Sequence, residues 1–428
     1  MQWLNSLIFT IMIHSIDFIP QLPFEEYKWK WASLQCTESI NDPIVLLGVL
    51  FRMRKLEILN SGYKYSSQEF NDEMQSLSHD ISDSIGIDLA GRGGTRNLIR
   101  NSGQYWKALG LIPVSNRSGK ITLTPFGRKV ADREISQTEF ATYTITHLEL
   151  PNVAIQTQRE VDLWKRHGIR FKPLSLILKI MLALSERDGE GSLTVDELVK
   201  IVVPLSGIRA KLDDYVYYLR KYRDGELNTL IWPNCAPEAN DKRIAREFFL
   251  FLKNYGFLDV LSDGNNRFQD AYFINPIIVC DVKELVNRAD RIDTSWSDDI
   301  IANQDITSEV ERVRTRNRPN QANFRRQVLA ACERCVVTNA TMPEILEAAH
   351  IKPFKYNGED TVANGFAMRT DIHILFDTGH LRISPEGELA LSTKARLDYG
   401  MTIPPRIVIP SFINLDYVRW RWDNYNGY

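Results

Sequence analysis

Cysteine is scarce, with five residues in 428 at positions 36, 235, 280, 332 and 335 and no regular spacing. That excludes a disulfide framework and fits a reducing compartment. Excess charge of one sign is also missing: 52 Lys and Arg against 54 Asp and Glu leave a formal net charge of −2, so nucleic-acid binding cannot be argued from bulk charge. A long uninterrupted apolar run is lacking as well. The N-terminal run Leu4 to Ile19 is broken by His14 and Asp17 and follows no Lys or Arg, which argues against a signal peptide or a membrane span. It is expected to pack against the body as a strand or helix, in a cytoplasmic protein with no membrane partner. With 44% hydrophobic and 25% charged residues the chain reads as an ordinary globular protein, and its length suggests two or three domains.

Histidine is scarce too, yet three of the seven, His350, His373 and His380, fall in one short window. Ile345 to Ile351 reads as an extended segment closed by Pro353. A polar loop with Asn357-Gly358 follows, and Gly365-Phe366-Ala367-Met368 returns as a partner strand. Thr370 is the expected N-cap and Gly379 the expected C′ residue of a helix of about two turns. On that helix His373 and Asp377 share one face and can meet a single divalent cation. His350, arriving from the strand, is a neutral imidazole able to take a proton from water. Asn364 can hydrogen-bond across the loop and hold its shape. Singly, each has an ordinary explanation: a satisfied core histidine, a helix-surface pair, a turn asparagine. His380, after Gly379, is assigned no role and is expected to be solvated.

Taken together, His350, Asn364 and His373 resemble the HNH (ββα-metal) endonuclease family, in the branch found in bacterial restriction and defence proteins. The words Phe324-Arg325-Arg326, Cys335-Val336-Val337-Thr338-Asn339, Leu346-Glu347-Ala348-Ala349-His350-Ile351, Asn364-Gly365-Phe366, Asp371-Ile372-His373 and Leu375-Phe376-Asp377-Thr378-Gly379 carry the resemblance, within residues 320–425. It implies that His350 is the general base, that Asn364 orients the loop, and that His373 is a metal ligand, with Asp377 at the place of a second helix ligand. Ala349 departs from the pattern of many members, which carry an Asp or His ligand just before the base. Glu347, on the same strand face, or Asp371, opening the helix, is expected to supply the missing ligand, with Glu347 the first choice.

The implied chemistry is hydrolysis of DNA phosphodiesters to 5′-phosphate and 3′-hydroxyl ends with Mg²⁺, for which Mn²⁺ or another divalent cation can substitute. Cys332-Glu333-Arg334-Cys335 suggests half of a structural zinc site. Arg369 and Ile372 stand where a second pair would be, so zinc lacks ligands and the two cysteines are expected as buried thiols. The family's C-terminal stretch often closes with a histidine. Here none follows His380, and Ile403 to Tyr428, with Trp420 and Trp422, is expected to pack on the nuclease core.

Basic residues cluster locally despite the balanced total. Arg312, Arg314, Arg316, Arg318, Arg325 and Arg326 precede the nuclease window, and with Lys352 they are candidates for phosphate contact; a solvated hinge is the alternative. Upstream, an apolar helix over Pro43 to Ile58 and a capping box at Ser66 to Phe70 are echoed by an apolar helix over Pro173 to Leu184 and a capping box at Thr194 to Glu197. Each half reaches an amphipathic helix ending at Gly110 or Gly256, with a hairpin-like stretch after it. Helices followed by a hairpin is the order of a winged-helix unit. In the first, Arg92, Arg96 and Arg100 approach the third helix, while Arg117 and Lys120 lie in the hairpin; protein contact competes with DNA contact as their use. Ser136-Gln137-Thr138-Glu139 caps a connecting helix.

The expected architecture is α+β and multidomain: a winged-helix-like module over 1–135, a helical connector over 136–172, a second winged-helix-like module over 173–300, and an HNH nuclease domain with its basic lead-in over 301–428. The expected function is a type II restriction endonuclease whose N-terminal modules recognise double-stranded DNA, and a homodimer would supply the second cut. The alternatives are a nonspecific or nicking HNH defence nuclease and a non-catalytic DNA-binding protein with a decayed site.

Overall fold

The computed structural model describes residues 18–27, 42–85, 103–114, 118–189, 191–292, 321–353 and 356–424. The fold mixes helix and strand, and it divides into two compact units. One comprises Met1–Gln35, Thr144–Lys253 and Phe257–Thr294; the other comprises Cys36–Tyr143, Asn254–Gly256 and Ser295–Tyr428. Most of the apolar run at residues 4–19 lies outside the described residues. Among these, no helix is long and apolar enough to cross a membrane.

The second unit opens with α1 (Pro43–Leu59), where Asp42 Oδ1 accepts from Ile44 N at 2.9 Å and Pro43 occupies the first turn. Proline suits that place because its missing N–H would have no partner there. Apolar residues cover most of the α1 surface, so it packs on several neighbours: α2 (Gln68–Ile85), and, after the short α3 (Gly103–Ala108), α4 (Pro125–Ala131). Ser67 Oγ accepts from Phe70 N, so Ser67 caps α2 singly; with Phe70 at the third helical position, this cap lacks the reciprocal Glu of the expected box. Helix α5 (Gln137–His147) begins with the reciprocal box of Ser136 and Glu139 and contains the division between units.

The stretch after Gly110 departs from a self-contained hairpin. Tyr65 N donates to Gly119 O at 3.0 Å and Ile121 N donates to Tyr63 O at 2.9 Å, so 119–121 pairs with 63–65 as an isolated bridge. Thr124-Pro125 starts α4 directly after it, with the Thr124 hydroxyl accepting from Gly127 N, and no second strand follows among the described residues.

In the first unit, α6 (Gln158–Arg166) precedes α7 (Pro173–Asp188), the second apolar helix expected from the sequence. Strand β1 (Ser192–Leu193) leads to the capping box of Thr194 and Glu197, which is present, and to a helical passage through Val195–Glu197, Leu198–Val202 and Val203–Gly207. Helices α8 (Leu212–Arg223) and α9 (Ala239–Asn254) follow. Gly256 then takes φ 79, the left-handed stop that glycine tolerates best. Strands β2 (Leu258–Leu261) and β3 (Ala271–Ile274) form an antiparallel hairpin with Leu258 opposite Ile274, and β1 adds to β3, giving the order β1-β3-β2. Helix α10 (Val279–Arg291) closes this unit.

The C-terminal part of the second unit has the expected strand, loop, strand and helix. After α11 (Gln321–Ala331), β4 (Leu346–His350) pairs antiparallel with β5 (Gly365–Arg369), with Ala349 opposite Phe366 and His350 opposite Gly365. Helix α12 (Thr370–Asp377) ends at Thr378, and Gly379 has φ 76 as anticipated. Thr370 corrects the sequence reading: it is the first helical residue, and its hydroxyl donates to Ile345 O at 3.0 Å rather than capping the helix. Strands β6 (Leu381–Ile383) and β7 (Leu389–Leu391), then α13 (Thr393–Tyr399) and α14 (Leu415–Asn424), complete the unit.

Side chains alternate along β4. Ala349 joins Phe366, Met368, Ile372 and Phe376 in one buried cluster, whereas Ala348 packs with Phe324 and Val328 of α11. Gly365 is squeezed between hairpin and helix: a Cβ there would lie 2.4 Å from Val328 Cγ2 and 2.9 Å from the Phe324 ring. Gly365→Ala is therefore expected to destabilise the protein by about 1–3 kcal/mol through overpacking, read as a lower melting temperature. An unchanged melting temperature would contradict this packing.

Candidate functional site

The loop between β4 and β5 is held by one fully buried side chain. Asn364 Oδ1 accepts from Lys352 N at 2.8 Å, while its Nδ2 donates to Lys352 O and Glu359 O, each at 2.9 Å. All of these partners are backbone groups, so Asn364 fixes the loop's path, as its position in the sequence suggests. Gly358 passes close by, where a Cβ would stand 1.8 Å from Lys352 O.

That loop delivers a residue the sequence reading missed. Asp360 Oδ1 lies 2.8 Å from His350 Nε2, and the Phe324 ring stacks on the imidazole with centroids 3.8 Å apart. The Asp360 contact fixes the orientation of the imidazole at Nε2. The His350 side chain keeps 14% of its surface exposed. Nothing in the spacing distinguishes Asp360 from the adjacent Glu359; only the loop's course does.

His373 belongs to a different group of charges, reached from the face of β4 that carries Glu347. Its Nδ1 is 3.0 Å from Glu347 Oε2 and its Nε2 is 3.1 Å from Asp377 Oδ2. Burial alone would push the His373 pKa down. The Asp377 and Glu347 charges and hydrogen bonds outweigh it and hold the ring up at about 10, as an imidazolium. Asp377 responds in the opposite sense: burial pushes its carboxyl up, but the His373 charge, with help from Arg421 and Thr138, brings it down to about 2.

Three more partners come from far along the chain. Gln137 N, at the start of α5, donates to Glu347 Oε1 at 2.9 Å, and the Thr138 hydroxyl donates to Asp377 Oδ2 at 3.3 Å. Arg421 Nη2 lies 3.6 Å from Asp377 Oδ1. The open first turn of a helix is a natural seat for carboxylates. The Ser136–Glu139 box marks the start of α5, but nothing local marks Gln137, Thr138 or Arg421 as partners of these carboxylates.

The expected metal ligands are sorted by this arrangement. Among the described residues no group of three or more His, Cys, Asp and Glu is arranged around a common metal position. Glu347 faces Nδ1 of His373, where it orients the ring in the manner of a carboxylate behind a ligating histidine. Asp371 points elsewhere, gripped by Arg369 at 2.7 and 2.8 Å. His373 Nε2 and Asp377 Oδ2 remain. Their 3.1 Å separation matches that of two adjacent ligands at about 2.1 Å from a cation, so a divalent ion in place of the shared proton fits this pair.

The candidate DNA contacts fare unevenly. Arg92, Arg96, Arg100, Arg117, Arg312, Arg314, Arg316 and Arg318 lie outside the described residues. Arg325 corrects its assignment: it is buried and ion-paired with Glu139, so it holds α11 and α5 together. Arg326 is exposed and Lys120 is exposed on the bridge with Lys64. Lys352 sets its Nζ 5.2 Å over the Trp420 ring. His380 is buried, with Nδ1 2.8 Å from Ser392 Oγ, because β6 starts directly after it. Cys332 and Cys335 are free and buried.

Residues 335–384 match the HNH endonuclease family, and residues 107–250 match the AlwI restriction endonuclease family. The C-terminal stretch is thus an HNH endonuclease match on the residues that form this site, and the pair of matches is that of a restriction-type nuclease. No curated protein matches the chain.

The buried charge triplet makes a signed prediction for the metal-free protein. The stabilisation from His373 is complete below its ordinary value of 6.5 and is lost as pH rises through about 10. Glu347→Gln, in the presence of EDTA, should lower stability by about 2 kcal/mol at pH 6, with the difference shrinking towards pH 10. A penalty that stays constant over that range would show that the ring is not charged.

Proposed function

We propose that this chain is a restriction-type DNA endonuclease of the type II kind, cutting phosphodiester bonds at the β4–β5–α12 site. The observation that carries this reading is the His350–Asp360 pair, poised beside the Asn364-clamped loop within the stretch that matches HNH endonucleases. Asp360 holds the His350 ring through Nε2, and the imidazole takes a proton from water, which raises that water's nucleophilicity towards phosphorus. Phe324 prevents the ring from turning. Glu347 orients His373 through Nδ1, and Thr138 and Arg421 orient Asp377, so that these two can hold the cation. Mg²⁺, with Mn²⁺ as a substitute, would neutralise charge growing on the phosphoryl and leaving oxygens when bound there.

Recognition of double-stranded DNA falls to the remainder of the chain. The match of 107–250 to a restriction endonuclease family supports it, and helices followed by the β1-β3-β2 sheet support a winged-helix-like module in the first unit. The N-terminal residues through 135 add helices and the 63–65 to 119–121 bridge to that recognition, without the hairpin of a winged helix among the described residues. One site severs one strand, so two copies in a homodimer would sever both, and the protein would work in the cytoplasm.

Purified protein should convert supercoiled plasmid to discrete linear fragments with Mg²⁺ and leave it intact in EDTA. His350→Ala should cut at least about 100-fold more slowly. Wild-type rates in that variant would remove His350 as the base. A smear of products would indicate general degradation, and accumulation of nicked circles a single-strand activity.

A further inference from the structure

The strand that carries His350 and the helix that carries Asp377 are tied together by a third element. Arg421, on α14, donates from Nη1 to His350 O at 3.2 Å and to Ile351 O at 3.0 Å, and from Nη2 to Phe376 O. Its guanidinium also lies 3.7 Å from the Phe376 ring centroid, and its Nη2 is 3.6 Å from Asp377 Oδ1. The side chain is 5% exposed. Burying a guanidinium is costly unless its donors are satisfied, and here the acceptors come from the two chain ends that present the reacting groups. His350 is the last residue of β4, and Phe376 immediately precedes Asp377 at the end of α12.

We propose that Arg421 is a positioning residue that sets the distance between the His350 base and the His373–Asp377 pair. The proposal rests on the nuclease reading above. Only a planar fork satisfies this geometry: one nitrogen serves the strand carbonyls while the other serves the helix carbonyl and faces the carboxylate. A lysine ammonium is a point charge and cannot span both. By pulling on Asp377 Oδ1, Arg421 also turns Oδ2 towards His373 Nε2 and the Thr138 hydroxyl. Its role is carried through main-chain carbonyls and one carboxylate.

Steady-state plasmid cleavage by full-length Arg421→Ala, Arg421→Lys and Arg421→Met tests this, alongside wild type and His350→Ala. Arg421→Ala should remain folded by circular dichroism and lose about 100-fold in kcat, the scale of a small misplacement of reacting groups, with KM little changed. Added methylguanidinium should restore part of that kcat with saturable dependence. Arg421→Lys should stay impaired, as should Arg421→Met, which keeps the packing on Phe376. Wild-type kcat in folded Arg421→Ala, a loss confined to KM, or a loss that methylguanidinium leaves untouched would each overturn the proposal. Failure of both Arg421→Ala and Arg421→Met to fold would make Arg421 a residue of the fold alone and would overturn it too. Wild-type protein that cuts nothing would bring down the nuclease reading and this proposal together. A cutting wild type with an inactive His350→Ala and fully active Arg421 variants would remove this proposal alone.

Discussion

The register of β4 against β5 is the constraint on which the site depends. With Ala349 opposite Phe366 and His350 opposite Gly365, Glu347 and Ala349 face α12 while Ala348 and His350 face α11. A slip of one residue would exchange the two faces. His350 would then enter the cluster that now holds Ala349, and Glu347 would leave His373. Gly365 helps to prevent the slip, because only a residue without a side chain fits between the hairpin and the Val328 and Phe324 side chains.

The two faces treat their imidazoles differently. His350 has one carboxylate partner, an aromatic ring against its plane and part of its surface open. His373 has a carboxylate at each nitrogen and almost no exposed surface. The first arrangement leaves part of the ring open, and the second encloses a proton between two carboxylates. Two histidines on one small hairpin-helix unit thus acquire opposite surroundings from the strand face and helix that carry them.

Much of this was legible in the sequence where the determinants are local. The separations of His350, Asn364 and His373, the i to i+4 placement of His373 and Asp377, the capping box at Thr194 and the stop at Gly379 all depend on residues within a few turns of each other. Thr370 was misjudged because a threonine before a helix can satisfy a distant carbonyl as readily as its own helix end, and here Ile345 O supplies one. Arg325 was misjudged for a similar reason. A basic residue near a nuclease motif invites phosphate contact, yet its side chain lies on the inner face of α11 against Glu139. Arg421 and Thr138 were invisible, since their partners lie tens to hundreds of residues away and no periodicity links them.

Those long-range partners explain why the two family matches are not independent pieces. Gln137 and Thr138 lie within the stretch that matches AlwI restriction endonucleases, while Glu347 and Asp377 lie within the stretch that matches HNH endonucleases. The first donates hydrogen bonds to the carboxylates of the second. Each carboxylate must keep its charge while largely removed from water, which is expensive without donors. An HNH hairpin and helix alone would leave Glu347 and Asp377 with His373 as a shared counter-charge, one cation between two anions. The opening turn of α5 offsets the remaining negative charge with an N–H and a hydroxyl, and Arg421 adds a full positive charge. The protonation and orientation of the His373–Asp377 pair therefore depend on residues outside the stretch that matches HNH endonucleases.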